Sequence, residues 1–529
     1  MKDIFKSIGH NKRILILFGI SFAYLLWGLI YIYHSSFIAI DGRRYFSLFD
    51  DAMISMRYAW NFSHGLGLVW NQGERVEGYT NLLMVLLMSI TTLLFDKSRA
   101  ALAVQLSGIP IMLGIAWLTT RIFRFINRDQ ETGSPELMGC ILFLAVLAYY
   151  PLSFWSLTGM ETGLLALLLL GSIYASLLYI EKQKPIFLLL TSVLLGFAFL
   201  TRNDAFIYAA WTFIYLGATT LHKRADLQRF VVNLAVFGLF VLIQEAIRYF
   251  YYGSLVPNTY VLKLVGMSLA NRLENGWGFM QLFFIESGFV LLVSLLGVGL
   301  NISRSKLYLF TFGILSILYQ LYTGGDPWSY WRMMAPVMPL FLILFIIGSI
   351  AMIRKIPRLT QVKLTSALTV IVLLAGLTSL DFRFIREMLL VDRPYLYDLS
   401  SEQINIAVAL NHVAREDATV GVFVAGVVPY YTGLRAIDFL GKSDPYIANL
   451  PPDLSGDISA SGMTSPPGHN KYDLNYSIKQ LRPTYVQRFW WGSQNLNDWS
   501  KDYYVKVKYD WVALYLLKNS PAVLWKKLK

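Results

Sequence analysis

The chain has 529 residues, of which 56% are hydrophobic and only 15% charged, and it carries a formal net charge of +13. Ordinary soluble domains carry about 25% charged residues, so a water-soluble fold is excluded and lipid is the solvent for most of the chain. Much of the positive excess sits in short loops between apolar runs, the pattern of cytoplasmic loops rather than of nucleic-acid binding, and the single cysteine, Cys140, excludes an internal disulfide framework or a thiolate metal site.

Residues 14–33 (ILILFGISFAYLLWGLIYIY) follow a basic start containing Lys2, Lys6, Lys12 and Arg13, and no small-residue cleavage motif comes after them. They read as a first span rather than a removed signal peptide. A long polar loop, 34–79, comes next, with Asp50-Asp51 opening an amphipathic segment (AMISMRYAWNF) expected to lie along the membrane surface. Further apolar runs fall at 80–95, 101–120, 137–152, 161–180, 186–201, 205–221, 230–252, 279–300, 307–322, 334–353 and 364–381.

Basic connections at 121–128, 182–184, 223–229, 304–306 and 354–363 are expected to be cytoplasmic. The loops that alternate with them, 153–160, 202–204, 253–278 and 323–333, should then face outward together. With the N-terminus inside, two full crossings between residues 80 and 120 would put the Arg121–Arg128 loop on the wrong side. The shorter run, 80–95, is therefore expected to be interfacial or re-entrant, leaving about eleven crossings with everything after residue 382 outside.

Charged residues return from about 385, with β-rich runs at 419–424, 484–489, 503–509 and 511–518 and helical apolar spacing over 402–415. A Pro-, Gly- and Ser-rich stretch, 451–470, reads as a long loop. The expected architecture is an α-helical polytopic membrane domain over 1–384, carrying the first extracytoplasmic loop at 34–79, followed by an extracytoplasmic α/β domain over 385–529.

Long loops in membrane proteins are usually functional, and the 34–79 loop holds the most informative chemistry. A carboxylate at Asp50 can take the proton of an acceptor hydroxyl as that oxygen attacks a sugar carbon and displaces a lipid phosphate, and an adjacent Asp51 raises its basicity. Asp50 can equally cap the helix that follows it, and the two roles are compatible. A phosphate leaving group needs cations where charge develops, and Arg57, Arg202, Lys263 and Arg332 fall on the same side of the charge-derived topology. The run Gly433–Ser443 ends like a phosphate-binding loop but has the wrong glycine spacing, and the six histidines show no metal-ligand spacing.

Asp50-Asp51-Ala52, Arg57-Tyr58-Ala59, Gly65-Leu66-Gly67, Asn71 through Asn81 (NQGERVEGYTN), Gly159-Met160-Glu161-Thr162, Pro257-Asn258-Thr259-Tyr260 with Lys263, and Gly324-Gly325-Asp326 with Arg332 resemble the signature of GT-C-fold transferases related to the mycobacterial terminal arabinofuranosyltransferase. Asp438 through Pro445 (DFLGKSDP) and Pro467-Gly468-His469 extend the resemblance into the C-terminal domain. It implies a polyprenyl-phosphate sugar donor, inversion at the anomeric carbon, a catalytic aspartate at Asp50 or Asp51, and a glycan or lipid acceptor at the outer face of a bacterial plasma membrane.

Residue by residue, the resemblance extends donor binding to Glu77, Tyr79, Arg202, Asn258, Lys263, Asp326 and Arg332 along with Arg57. His469, which stands in a quoted motif, is placed toward the acceptor, and the aromatic rings of Trp490 and Trp491, with Tyr503 and Tyr504, read as sugar-stacking surfaces or as core packing. Family members carry Tyr where this chain has Met53 and Pro where it has Asn203. The pattern marks the fold and donor class, not the sugar, arabinofuranose or another. The carboxylate pair is also a ligand set that a divalent cation could take. The rival class is a flippase of lipid-linked sugars, which would want charges deep in the spans; Glu245 and Arg248 are the pair that fits it.

Overall fold

With no water in the bilayer core, each spanning segment has to satisfy its own backbone, so apolar runs of about twenty residues fold as helices. The computed structural model describes residues 2–46, 48–128, 135–221, 224–356, 361–395, 397–456 and 458–528. Two basic residues counted toward the topology, Lys223 and Arg358, lie outside the described residues.

The chain opens with α1 (Lys2–His34), a short hairpin of β1 (Phe37–Ile38) and β2 (Arg44–Tyr45), α2 (Asp50–Ser63) and α3 (Leu82–Leu94). It continues through α4 (Lys97–Ile126), α5 (Pro135–Ala148), α6 (Tyr150–Leu157), α7 (Thr162–Lys182), α8 (Pro185–Thr201) and α9 (Ala205–Thr220). Next come α10 (Arg224–Ile247), prolonged by a π-turn at Arg248–Tyr252, then α11 (Asn258–Leu264), α12 (Leu269–Leu300), α13 (Arg304–Thr323), α14 (Met338–Arg354), α15 (Val362–Asp381) and α16 (Ile385–Met388).

Among the described residues, 7 helices are long and apolar enough to cross a membrane, and α5 with α6, bent by 55°, makes an eighth when counted as one span. Helix α3 has 13 residues; at about 1.5 Å per residue it reaches roughly 20 Å, short of a hydrocarbon core of about 30 Å. That matches the exception expected for 80–95. Helices α8 and α9, expected as crossings, are apolar but only 17 and 16 residues long.

Helix α14 is the hub, with 83% of its most apolar stretch buried inside the protein. It meets α12 at Gly297 and Gly348, where a Cβ on either glycine would collide with the other backbone. Close approach of this kind is how helices gain packing in lipid, where no hydrophobic effect drives them together. Ser294 Oγ adds a hydrogen bond to the Phe341 carbonyl at 3.0 Å.

The C-terminal region contains α17 (Tyr397–Val413), β3 (Thr419–Val422), α18 (Val427–Thr432), β4 (Arg435–Asp438), α19 (Pro445–Ala448), β5 (Tyr485–Val486), β6 (Trp490–Trp491), β7 (Gln494–Asn495), α20 (Asn497–Tyr503), β8 (Tyr504–Tyr509) and β9 (Val512–Leu517). Five strands form one sheet in the order β4-β3-β5-β9-β8, with β3 parallel to both neighbours and β9 antiparallel to both of its own. Helix α17 packs on β9 and α18 through a face buried from Gln403 to Leu410. Strand β4 was not foreseen. Its residues sit inside the run Gly433–Ser443, whose glycines read as a loop.

Helices α2 and α18 clasp this region to the membrane domain. Asp50 Oδ1 accepts from the amides of Gly426 and Val427, at the start of α18, at 3.0 and 3.1 Å. Two turns along α2, Arg57 donates to the carbonyls of Pro429, Gly433 and Leu434 at the other end of α18, at 2.5, 3.2 and 2.9 Å, and to Trp70 O at 2.8 Å. Gly433 and Leu434 lie just past the end of α18, where carbonyls have no intrahelical partner. The expectation that Arg57 meets the donor phosphate is therefore corrected: its donors are taken up by carbonyls, away from the cavity described below. Arg57→Met is expected to lower stability by on the order of 3 kcal/mol, since it strands the carbonyls of Gly433 and Leu434 and takes a second hydrogen bond from those of Pro429 and Trp70. The check is a lowered Tm with faster proteolysis of the C-terminal region, and an unchanged Tm would refute the clasp.

Candidate active site

One cavity of about 490 Å³ opens where the 34–79 loop, the starts of α7, α9 and α11, the end of α13 and the 324–334 loop converge. That volume suits a small ligand such as a sugar with its phosphate. Its walls carry five carboxylates (Asp51, Glu161, Asp204, Glu245, Asp326) and five cations (Arg202, Arg248, Lys263, Arg332, Lys442). Charges in such a place persist only when paired, and most are.

Arg332 reaches Asp51 Oδ2 at 2.8 Å and Asp326 Oδ1 at 2.6 Å, and Lys442 closes on the other Asp51 oxygen. Arg202 joins Glu161 at 2.7 Å to Asp204 at 3.0 Å. Arg248 is gripped by Glu77 at 2.6 and 3.1 Å and by Glu245 at 2.5 Å. Lys263 is the exception: of the cations on this wall, it has neither a carboxylate nor a hydrogen-bond partner among the described residues. Burial, then the charge of Arg332, lowers its pKa to about 8.

The adjacent aspartates are in opposite states. Burial would raise Asp51, but Lys442 and Arg332 more than reverse this and hold it well below the usual carboxylate range. Asp50 is pushed up to about 7, chiefly by burial, with Lys442 pulling it down and Asp51 pushing it up. Its Oδ1 takes the two amides of α18, and its Oδ2 has no hydrogen bond among the described residues. The side chain is half-buried rather than sealed. A carboxylate with one oxygen anchored, one free and a pKa near neutrality is suited to general-base work.

Of the other residues singled out from sequence, Tyr79, Arg202, Asp326 and Arg332 line the cavity with Lys263. Glu77 lies behind the wall, as the partner of Arg248 rather than a contact for a sugar. Asn258 is likewise off the wall: its amide donates to Gly441 O and Lys442 O, both at 2.9 Å, so it shapes a turn rather than binding a ligand directly. His469 stands between Trp328 and Trp491, with ring centroids at 5.8 and 6.5 Å. Its imidazole is held neutral by burial and by the charge of Lys442, with its pKa lowered to about 4. Trp491 stacks on Phe423 at 4.9 Å, and Trp490 is 50% exposed with Arg488 over its ring.

Sequence reasoning assigned no site role to Lys442, Asp204 or Glu161, although Lys442 and Glu161 stood in quoted motifs. Asn203 accepts from Arg248 at 3.3 Å, so its side chain helps hold that arginine at the wall. A divalent cation does not suit this donor set. Both Asp51 oxygens face cations, Asp50 Oδ1 faces amides, and among the described residues no three His, Cys, Asp or Glu side chains cluster as ligands.

Residues 394–519 match a family described as a domain of unknown function (DUF8728). Among curated proteins, none matches this chain in sequence. Solved structures do. ArnT from Cupriavidus metallidurans bound to undecaprenyl phosphate superposes with a TM-score of 0.56 at 10% identity, over 96% of this chain and 98% of that one. The archaeal oligosaccharyltransferase AglB from Archaeoglobus fulgidus, in complex with an inhibitory peptide and a dolichol-phosphate, gives 0.52 at 11% identity over 96% and 74%. The apo form of the A. fulgidus oligosaccharyltransferase gives 0.51 at 12% over 90% and 69%. The chain has the GT-C fold.

Proposed function

We propose that this protein is an inverting glycosyltransferase that moves a sugar from a polyprenyl-phosphate donor to a cell-envelope glycan or lipid acceptor at the outer face of the plasma membrane. Residues 1–384 would be the catalytic membrane domain and 385–529 an extracytoplasmic α/β domain. The observation that carries this reading is the cavity wall on which Lys263, an ammonium with no carboxylate or hydrogen-bond partner among the described residues, stands with Asp51 clamped by cations, while Asp50, next to Asp51 but not on the wall itself, keeps one oxygen free of hydrogen bonds among the described residues. The fold supports it too, because GT-C neighbours hold undecaprenyl phosphate or dolichol-phosphate. The basic loops of the sequence set the orientation.

Donor phosphate would sit against Lys263, with Arg332 and Lys442 close by. The acceptor would approach past Trp328, His469 and Trp491, whose rings offer stacking faces to a sugar. Asp50 Oδ2 takes the acceptor hydroxyl proton. The acceptor oxygen bonds to the anomeric carbon from the face opposite the phosphate, the carbon–oxygen bond to phosphate breaks, and polyprenyl phosphate leaves with the electron pair. Water-excluded cations aimed at the leaving oxygen stabilise the charge that develops there.

Mass spectrometry of lipid that copurifies with the protein tests this directly. A polyprenyl-phosphate sugar consumed on addition of envelope glycans is the expected result. A carrier that stays intact and merely changes sides of a liposome would make the protein a flippase, and the absence of any lipid phosphate would sink the donor class.

A further inference from the structure

Lys442 belongs to the region whose family match is a domain of unknown function, yet its ammonium lies on the cavity wall and pairs with Asp51, 391 residues earlier. The turn that carries it is fixed from three sides. Buried Asp438 accepts from the amides of Leu440, Gly441 and Ser443 at 3.0, 3.2 and 2.8 Å. Gly441 adopts φ +77°, a conformation other residues rarely take. Asn258 binds the carbonyls of Gly441 and Lys442, and Gly78 leaves room for the turn, since a Cβ there would stand 2.9 Å from Lys442 O. The backbone is held, and only the four-carbon side chain is free to swing.

The two cations on Asp51 differ in that freedom. Arg332 is held by Asp51 and Asp326 together and lies 5.8 Å from the Trp155 ring centroid. Lys442 has Asp51 alone as its carboxylate. If Lys442 leaves, Asp51 keeps Arg332 and is never a bare buried charge, the condition that would make departure prohibitive. Lys263, on the same cavity wall and near enough for the charge of Lys442 to help lower its pKa, offers the other half of a phosphate seat.

Building on the donor proposed above, we propose that Lys442 is a donor-sensing cation: Asp51 holds it until donor arrives, and the phosphate of an incoming lipid phosphate draws it off Asp51 and onto itself. The attraction grows through the reaction, because a phosphodiester carrying one charge leaves as a monoester carrying more. The move also strips Asp50 of a cation that stabilises its ionised form, so Asp50 becomes a stronger base only while donor is present. The domain of unknown function thereby completes the donor site.

A double-mutant cycle on the full-length protein in nanodiscs, with undecaprenyl phosphate as the probe, tests the exchange. Asp51→Asn frees Lys442 in advance and is expected to tighten binding about tenfold, a gain that disappears in the Lys442→Met background. Lys442→Met alone weakens binding, and Lys442→Arg restores most of it. Equal tightening with and without Lys442→Met would mean that Asp51 only repels the phosphate, and the exchange would be refuted. No tightening in Asp51→Asn refutes it as well, even where the Met variant does not fold. A natively folded wild type that binds no undecaprenyl phosphate would instead overturn the donor assignment itself.

Discussion

Asp50→Asn is expected to lower the turnover of sugar transfer by about 10³-fold while leaving the fold and lipid-phosphate binding intact, the size of effect that general-base catalysis supplies. The fold should survive because an amide oxygen can accept from Gly426 and Val427 as the carboxylate does. Only the free Oδ2 is lost, replaced by an NH₂ group that cannot take a proton. The pH dependence follows from burial, which pushes Asp50 up to about 7. Transfer needs the unprotonated carboxylate, so kcat/KM rises as pH climbs through 7 and falls about tenfold for each unit below it. Activity near the wild-type level in the Asn variant would reduce Asp50 to the group that anchors α18 and leave the reaction with a different base.

The contrast between Asp50 and Asp51 shows which parts of such a site can be read from sequence. Two carboxylates side by side on a long loop announce chemistry, but their division of labour depends on Lys442, 391 residues away, and on Arg332, 281 away. Spacing along the chain carries no trace of that closure. Arg57 shows the opposite error. Seven residues after Asp50 on an amphipathic helix, it reads as a cation for the same ligand, and only the docking of α18 reveals that its donors serve backbone carbonyls. Helices were legible because lipid imposes one requirement, an uninterrupted apolar run, and the run 80–95, expected to be the exception, folds as a helix of only 13 residues. Strand β4 was not, because four residues in a mixed sheet owe their state to neighbours rather than to their own pattern. Glu245 and Arg248, which from sequence best fitted a transporter, are drawn to the cavity edge by Glu77 from the 34–79 loop.

Lys263→Met should lower kcat/KM by about 10²- to 10³-fold, the usual consequence of removing one preorganised donor from a developing anion. It should do so without the destabilisation expected at Arg332, because Lys263 has no carboxylate to leave uncompensated. Burial, helped by the charges of Arg332 and Lys442, brings its pKa down to about 8. Phosphate is held by the ammonium and not by the amine, so donor binding is complete below that value and declines as pH rises through it. Joined to the requirement for ionised Asp50 above about 7, this gives kcat/KM a narrow bell whose two limbs belong to different residues. In the Met variant the alkaline limb should vanish while the acid limb stays in place. Lys263→Arg, charged at every accessible pH, should carry the alkaline limb outward with much of the activity retained. An alkaline limb that persists unchanged in both variants would transfer that titration, and the phosphate contact inferred from it, to another group on the wall.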